Sequence, residues 1–312
     1  MASVLGLSHY ASKTRPCSLC KCTATGTHTW SNNSSQAPWI ATTYTTQTWK
    51  EEEEKPDNAL FSIPGVSILT VCLDYMHAKY IGMDQYMYGS TFYYLVFYVM
   101  NKSAEENLEE IWQFLQKYYS DHDTPVRYNY LNKLSMFVRK SGWPKLRGKA
   151  GEVKHLCHAM LAIWSKWMDE SQEIHRQIHL MLKLNTIMED ILMQYKLHFA
   201  LPTQAAARFK KACLNLMNIQ NQIAKYFLDQ NIKLYDVTVK SHMVVHNALL
   251  SDHINPAKCW CFRGEDYMSH CQRLASSCFA GNNIPSASIK FSEKYRLALS
   301  LNLMKLEQEL CV

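Results

Sequence analysis

Apolar residues recur along most of this chain with the three- and four-residue spacing of amphipathic helices. The clearest case is the segment 173–198, in which Ile174, Ile178, Leu182 and Ile191 mark one face. Ser103 and Glu106 form a capping-box pattern that predicts another helix start. The same spacing predicts helices over residues 151–168, 204–230, 265–277 and 292–310.

One short apolar run departs from the helical pattern. Residues 66–73 are rich in β-branched side chains and follow Pro64 and Gly65, which are typical of a turn. This run predicts a buried strand that ends at Asp74. A second run, residues 91–100, is about half as long as a membrane-spanning helix and predicts a buried helix or strand.

These elements predict an α+β fold that is mostly helical, with a bundle of long helices inserted after a strand. Three regions follow along the chain. Residues 1–100 hold the irregular N-terminal part and the strand, residues 101–232 hold the helical insertion, and residues 233–312 hold the last helices.

Composition narrows the functional classes only slightly. The chain has 312 residues, of which 47% are hydrophobic and 19% charged, so a sizeable core is expected. The net charge of +6 permits nucleic-acid binding without requiring it. The 11 cysteines come without an N-terminal signal sequence or a membrane-spanning run, so we expect reduced thiols in a soluble intracellular protein.

Two short motifs have the spacing of zinc ligands. Cys17 and Cys20 form a CxxC knuckle, which supplies half of a tetrahedral site. His242 and His246 lie four residues apart, so on a helix they point the same way and can supply the other half. Alternatives remain: a redox pair or ordinary thiols for the cysteines, packing or capping for the histidines. Further thiols that can serve as ligands are Cys22, Cys259 and Cys261.

Acidic residues at element ends offer a second kind of metal site. Asp74 with His77 stands where the predicted strand ends, and carboxylates so placed can hold Mg²⁺ for phosphoryl transfer. Glu265 and Glu152 each stand at a predicted helix start and are rival candidates for another acid of the site. Each of these residues also has a structural interpretation, because Asp and Glu commonly cap helices.

A basic stretch with one tryptophan, residues 143–149, is a candidate for phosphate contact. Such a stretch is also typical of a solvated surface. No P-loop, nucleotide-binding glycine fingerprint, nucleophile elbow or HExxH motif occurs in the sequence.

Taken in order, three segments resemble eukaryotic DDE transposases of the CACTA, Plavaka and Kyakuja-Dileera-Zisupton type. They are residues 5–20 with the CxxC, residues 73–82 with Asp74 and His77, and residues 239–267 with the histidine pair and Glu265. The resemblance spans most of the chain, although only these short motifs carry it.

The resemblance implies a partial ribonuclease H-like core with a large all-helical insertion. It implies that Asp74 opens the family's DxxH motif and that Glu265, rather than Glu152, is the last catalytic acid; both would bind catalytic Mg²⁺. It further implies a structural Zn²⁺ on Cys17, Cys20, His242 and His246. Double-stranded DNA as partner, a homo-oligomer, a nuclear location and no membrane association are expected with it.

This sequence departs from the family pattern at the first catalytic Asp. The family places it upstream of the CxxC, and here no Asp or Glu occurs among the sixteen residues before Cys17. We therefore expect a transposase-derived domain for DNA binding or strand transfer whose DDE site is incomplete and which is inactive alone. The alternatives are a zinc-stabilised helical interaction scaffold without a nucleic-acid role and a metal-dependent hydrolase that uses Asp74 with His77.

Overall fold

A computed structural model describes residues 5–7, 11–53, 58–279 and 286–310, without the side chains of residues 263, 265, 266 and 305–310. The chain divides into two compact units, Met1–Trp260 and Cys261–Val312. The mostly helical fold expected from the sequence is confirmed. The division into three regions stays a prediction.

The first unit contains eight α-helices among its described residues. They are α1 (Thr46–Lys50), α2 (Gln85–Tyr94), α3 (Ala104–Asp121), α4 (Ala150–His155), α5 (Cys157–Trp167), α6 (Glu173–Gln194), α7 (Thr203–Asp229) and α8 (Val239–Leu249). Two π-helical segments, Met76–Asp84 and Leu95–Val99, flank α2 without a break, so residues 76–99 form one central helix. Short 3-10 turns are Pro38–Thr42, Ala59–Ser62, Ile68–Thr70, Leu134–Met136 and Pro256–Lys258. The second unit contains α9 (Phe262–Cys278) and α10 (Ala287–Leu310).

The predicted strand at residues 66–73 is wrong. Ser67 caps the 3-10 turn Ile68–Thr70, because its hydroxyl accepts a hydrogen bond from the Leu69 N–H while the Thr70 side chain accepts one from the Ser67 N–H. The only β-pairing in the described ranges is an isolated bridge between Thr23 and Thr29. A β-branched run needs a partner strand for its backbone groups, and none is described. The sheet of a ribonuclease H-like core is therefore not found.

The helix predictions agree better with the structure, because the periodic apolar faces of the predicted helices are buried. Ser103 accepts a hydrogen bond from the Glu106 N–H, and the Glu106 carboxylate accepts one from the Ser103 N–H, which confirms the capping box that starts α3. On α6, the predicted face is buried at Ile174, Ile178 and Leu182. The predicted helix 151–168 is interrupted, since α4 ends at His155 and α5 begins at Cys157.

The run 91–100, predicted as a buried helix or strand, belongs mainly to the end of the central helix. Phe92 and Leu95 are fully buried in the first unit. Within the described parts of the chain, no helix has both the length and the apolarity that a bilayer crossing requires.

A buried ion network that the sequence analysis did not predict links the central helix to α6. The Lys79 ammonium donates to both carboxylate oxygens of Asp84 at 2.9 and 2.7 Å and lies 3.4 Å from Glu189 of α6. Tyr80 donates to the other Glu189 oxygen at 3.0 Å. Burial opposes the charge on Lys79, but the two carboxylates raise its pKa above the ordinary value. The π-helical winding suits this pair, since it brings residues five apart onto one face.

Candidate metal centre

The loop that follows Pro16 places two thiols in the protein interior. Cys17 and Cys20 are 3% and 1% exposed. The backbone N–H of Leu19 donates a hydrogen bond to the Cys17 sulfur over 3.3 Å, and the Leu19 carbonyl accepts one from the Tyr44 N–H at 2.9 Å. These bonds fix the turn of the knuckle while both sulfur atoms remain away from solvent.

Helix α8 places two imidazole rings side by side. Thr238 caps the helix by accepting a hydrogen bond from the Lys240 N–H. His242 and His246 follow one turn apart, so their side chains share a face. Both residues are fully buried in the first unit.

The knuckle and the histidine pair meet, although they lie more than two hundred residues apart in the sequence. The Cys20 sulfur is 3.4 Å from His242 Nε2 and 3.3 Å from His246 Nε2, and the two Nε2 atoms are 3.1 Å apart. With Cys17, the four ligand atoms lie within 4.8 Å of one another. A zinc tetrahedron with ordinary Zn–S and Zn–N bonds has edges of about 3.3 to 3.8 Å. The donor set and its spacing therefore fit one Zn²⁺.

The electrostatics of the cluster favour one thiolate and neutral imidazole. Hydrogen bonds with Cys20 and Cys22 lower the pKa of the Cys17 thiol well below its ordinary value, although burial opposes this. Cys17 and Cys22 in turn raise the pKa of the Cys20 thiol, and burial lowers the pKa of His242. Zn²⁺ requires both thiols deprotonated and the imidazoles neutral, so its binding would displace the Cys20 proton.

Trp39 holds the imidazole rings in place by packing. Its ring centroid lies 4.2 Å from that of His242, edge to face, and 5.0 Å from that of His246. Its indole N–H donates to the Asn32 carbonyl at 2.6 Å, which anchors the tryptophan. The Nδ1 atoms of both histidines are buried and bond to no described residue. The Nε2 atoms therefore face the cluster, and the rings are oriented by contact rather than by the usual Nδ1 hydrogen bond.

The other candidate thiols differ in position. Cys22 is fully buried and lowers the pKa of the Cys17 thiol, so it is a third sulfur near the cluster. Cys259 instead interacts with Cys72, whose pKa it lowers to about 6. Cys261 begins the second unit. The four residues predicted from the two motifs are the ones that the structure brings together.

Asp74 lies at the start of the central helix instead of at a strand end. One carboxylate oxygen accepts hydrogen bonds from the N–H groups of Met76 at 3.0 Å and His77 at 3.5 Å. The other oxygen lies 2.5 Å from His77 Nδ1. Both side chains are partly exposed. Asp74 is thus a helix cap that also forms a carboxylate–imidazole pair open to solvent.

The zinc-ligand helix packs directly on the helix that Asp74 caps. A Cβ added at Gly82 would lie only 2.7 Å from Lys240 Cδ, so the Lys240 chain runs closely over this glycine. The Lys240 ammonium lies 3.5 Å from the Ile81 carbonyl oxygen. The position of α8 therefore constrains the position of the first turns of the central helix.

Of the two rival glutamates, only Glu152 has its side chain in the described part of the protein. Glu152 lies in the first turn of α4, where its carboxylate accepts a hydrogen bond from the Lys149 N–H at 2.7 Å, so it is a capping residue. Glu265 falls within α9, but its side chain lies outside the described part of the protein. Its predicted role as a catalytic acid stays a prediction.

Comparisons of this chain with models of known protein families, with curated proteins and with solved structures give no significant match.

Proposed function

We propose that this chain is a DNA-binding domain derived from a DDE-type transposase and held together by one structural zinc ion. The observation that carries the proposal is the buried cluster of Cys17, Cys20, His242 and His246. Its members are the CxxC and HxxxH residues of the resemblance, and the Asp74–His77 pair stands between them in the sequence. A helical scaffold has no need for this order of motifs.

The bound zinc supplies folding energy instead of reaction chemistry. All four ligands are protein side chains, which leaves no open position for a substrate. The ligands come from the N-terminal loop and from α8, so the ion would join the two. Because α8 packs on the central helix, the zinc ion would also help to position Asp74 and His77 at the protein surface.

The proposal favours DNA binding over DNA cleavage. Two-metal phosphoryl transfer needs several carboxylates around the ions. In the described part of the first unit, no second carboxylate joins Asp74 in a group of metal-ligand spacing. Mg²⁺-dependent strand transfer by Asp74 and Glu265 is therefore proposed only for an assembly that supplies a further acid.

Binding of the purified chain to double-stranded DNA tests this function. We expect fluorescence anisotropy with a labelled duplex of about 30 base pairs to show binding at about 50 mM salt, and the logarithm of the association constant to fall linearly with the logarithm of salt concentration. A neutral polymer of similar size serves as the control for crowding. Absence of binding at low salt would remove the nucleic-acid function.

One observation favours the alternative of a zinc-stabilised interaction scaffold. The described residues form helices and turns and contain no sheet, whereas the resemblance implies one. A chain that folds and binds zinc but does not bind DNA at any salt concentration would be such a scaffold. Zinc content alone does not separate the two functions, but the DNA titration does.

A further inference from the structure

The basic stretch 143–149 is fastened to the helical body by its backbone. The N–H of Lys145 donates to the Phe137 carbonyl at 3.0 Å, and that of Leu146 donates to the Gln85 carbonyl at 2.8 Å. Leu146 is fully buried. A Cβ added at Gly89 would lie 2.6 Å from the Leu146 nitrogen, so the stretch touches α2 where only glycine fits. Its side chains therefore project from a fixed backbone.

Three cationic side chains converge here from different parts of the chain. Lys145 is partly buried, and its ammonium lies 5.0 Å from the centre of the Tyr86 ring. Burial lowers the pKa of Lys145, and the positive charges of Lys240 and Arg139 lower it further. Tyr86 stands four residues after Gly82, over which the Lys240 chain runs. Arg139 follows two residues after Phe137, whose carbonyl accepts the Lys145 N–H. The three cations therefore lie in one region of the surface. We call Arg139, Lys145 and Lys240 the basic cluster.

Little negative charge offsets the basic cluster. Asp236 opposes the lowering of the Lys145 pKa, and burial raises the pKa of Asp236 although Arg139 and Lys145 oppose this. Among the residues that the structure describes, none of the three cations forms a salt bridge. Repulsion among the three cations costs free energy that a bound anion would relieve.

The position of Lys240 connects the cluster to the Asp74–His77 pair. A Cβ added at Gly82 would lie 2.7 Å from Lys240 Cδ and 2.8 Å from the His77 carbonyl oxygen, so the Lys240 chain runs beside the residue that pairs with Asp74. A phosphodiester bound by the cluster would therefore lie near the carboxylate–imidazole pair. Arg and Lys side chains on a fixed backbone are the groups that position nucleic-acid phosphates.

We propose that Arg139, Lys145 and Lys240 form the phosphate-binding site through which this chain holds the backbone of double-stranded DNA beside Asp74. The inference rests on the proposed DNA-binding function and adds the residues that carry it. It assigns a role to the basic stretch and to the lysine that precedes the zinc-binding histidines.

A triple variant, Arg139→Gln, Lys145→Gln and Lys240→Gln, tests the assignment with the same labelled duplex. Loss of three phosphate contacts should reduce the salt slope by about 2.7 and weaken binding at least about tenfold at 0.1 M salt. The control, Arg208→Gln, Lys117→Gln and Lys183→Gln, removes the same charge from exposed positions on three other helices. It should bind with nearly the wild-type slope.

Because Lys145 and Lys240 are partly buried, the exposed Arg139→Gln variant is also measured alone. Its slope should fall by about 0.9, with zinc content and melting temperature unchanged. A wild-type slope in both cluster variants, or an equal loss in the control, would overturn the inference while the DNA-binding function stands. Absence of DNA binding by the wild type would overturn both.

Discussion

Replacing both knuckle cysteines, Cys17→Ser and Cys20→Ser, is expected to reduce bound zinc from about one ion per chain to none and to lower the melting temperature by about 10 °C or more. Structural zinc contributes about 10 to 16 kcal/mol in small zinc-folded peptides. The helical core of this chain does not depend wholly on the ion, and about 4 kcal/mol of that contribution suffices for the shift. Elemental analysis and thermal unfolding measure the two effects.

The neighbouring thiol provides the matched control. Cys22 is as buried as the knuckle cysteines and lowers the pKa of Cys17, but it lies outside the predicted ligand set. Cys22→Ser should therefore keep about one zinc per chain. If the double variant retained full zinc, or if Cys22→Ser alone lost it, the ligand assignment would be wrong.

The second large effect is expected in the buried ion network. Lys79→Met removes the cation that forms salt bridges with both Asp84 and Glu189 and leaves these two buried acids without their shared partner. Breaking a buried pair in this way costs about 3 to 5 kcal/mol, because the remaining charge loses its partner without regaining water. For a unit of this size the melting temperature should fall by about 6 to 20 °C.

An exposed lysine on the same helix pair serves as the comparison. Lys183 lies on α6, the helix that carries Glu189, and its side chain is exposed. Lys183→Met should change the free energy of unfolding by no more than about 0.5 kcal/mol. Equal stability of the two methionine variants would mean that the Lys79 network contributes no net stabilisation.

The four candidate zinc ligands could be predicted because each pair has a short, recognisable spacing in the sequence. A CxxC turn and an i, i+4 histidine pair each place two donors side by side whatever surrounds them. The sequence does not encode their meeting so directly, and the inference that Cys17 and His242 share one site came from each motif being incomplete alone. The structure brings all four ligand atoms within 4.8 Å of one another.

The strand prediction was wrong because it rested on the composition of residues 66–73 alone, without a partner strand. Residues 66–73 have the β-branched side chains of a strand, but Ser67 and Thr70 bond to nearby backbone instead. A strand is stabilised by cross-strand bonds, which a single sequence window cannot show. The predicted place of Asp74 at a strand end was wrong for the same reason, whereas its predicted role as a metal-binding acid stays a prediction. Its structural interpretation as a helix cap is the one that the hydrogen bonds support.

The buried network around Lys79 could not be predicted for a different reason. Lysine is almost never fully buried unless it is paired, so the pattern of apolar and polar residues predicts that a lysine lies at the surface. Its partners lie five residues ahead in a π-helical turn and 110 residues ahead on α6. Neither the winding nor the helix contact leaves a periodic signal in the sequence.

The central claim is that one zinc ion joins the N-terminal loop to α8. Its most direct test is X-ray absorption at the zinc edge of the purified wild-type chain. We predict two sulfur ligands at about 2.3 Å and two imidazole nitrogen ligands at about 2.0 to 2.1 Å, from Cys17, Cys20, His242 and His246. A shell of three sulfurs, a shell dominated by oxygen, or a chain that binds no zinc would contradict it.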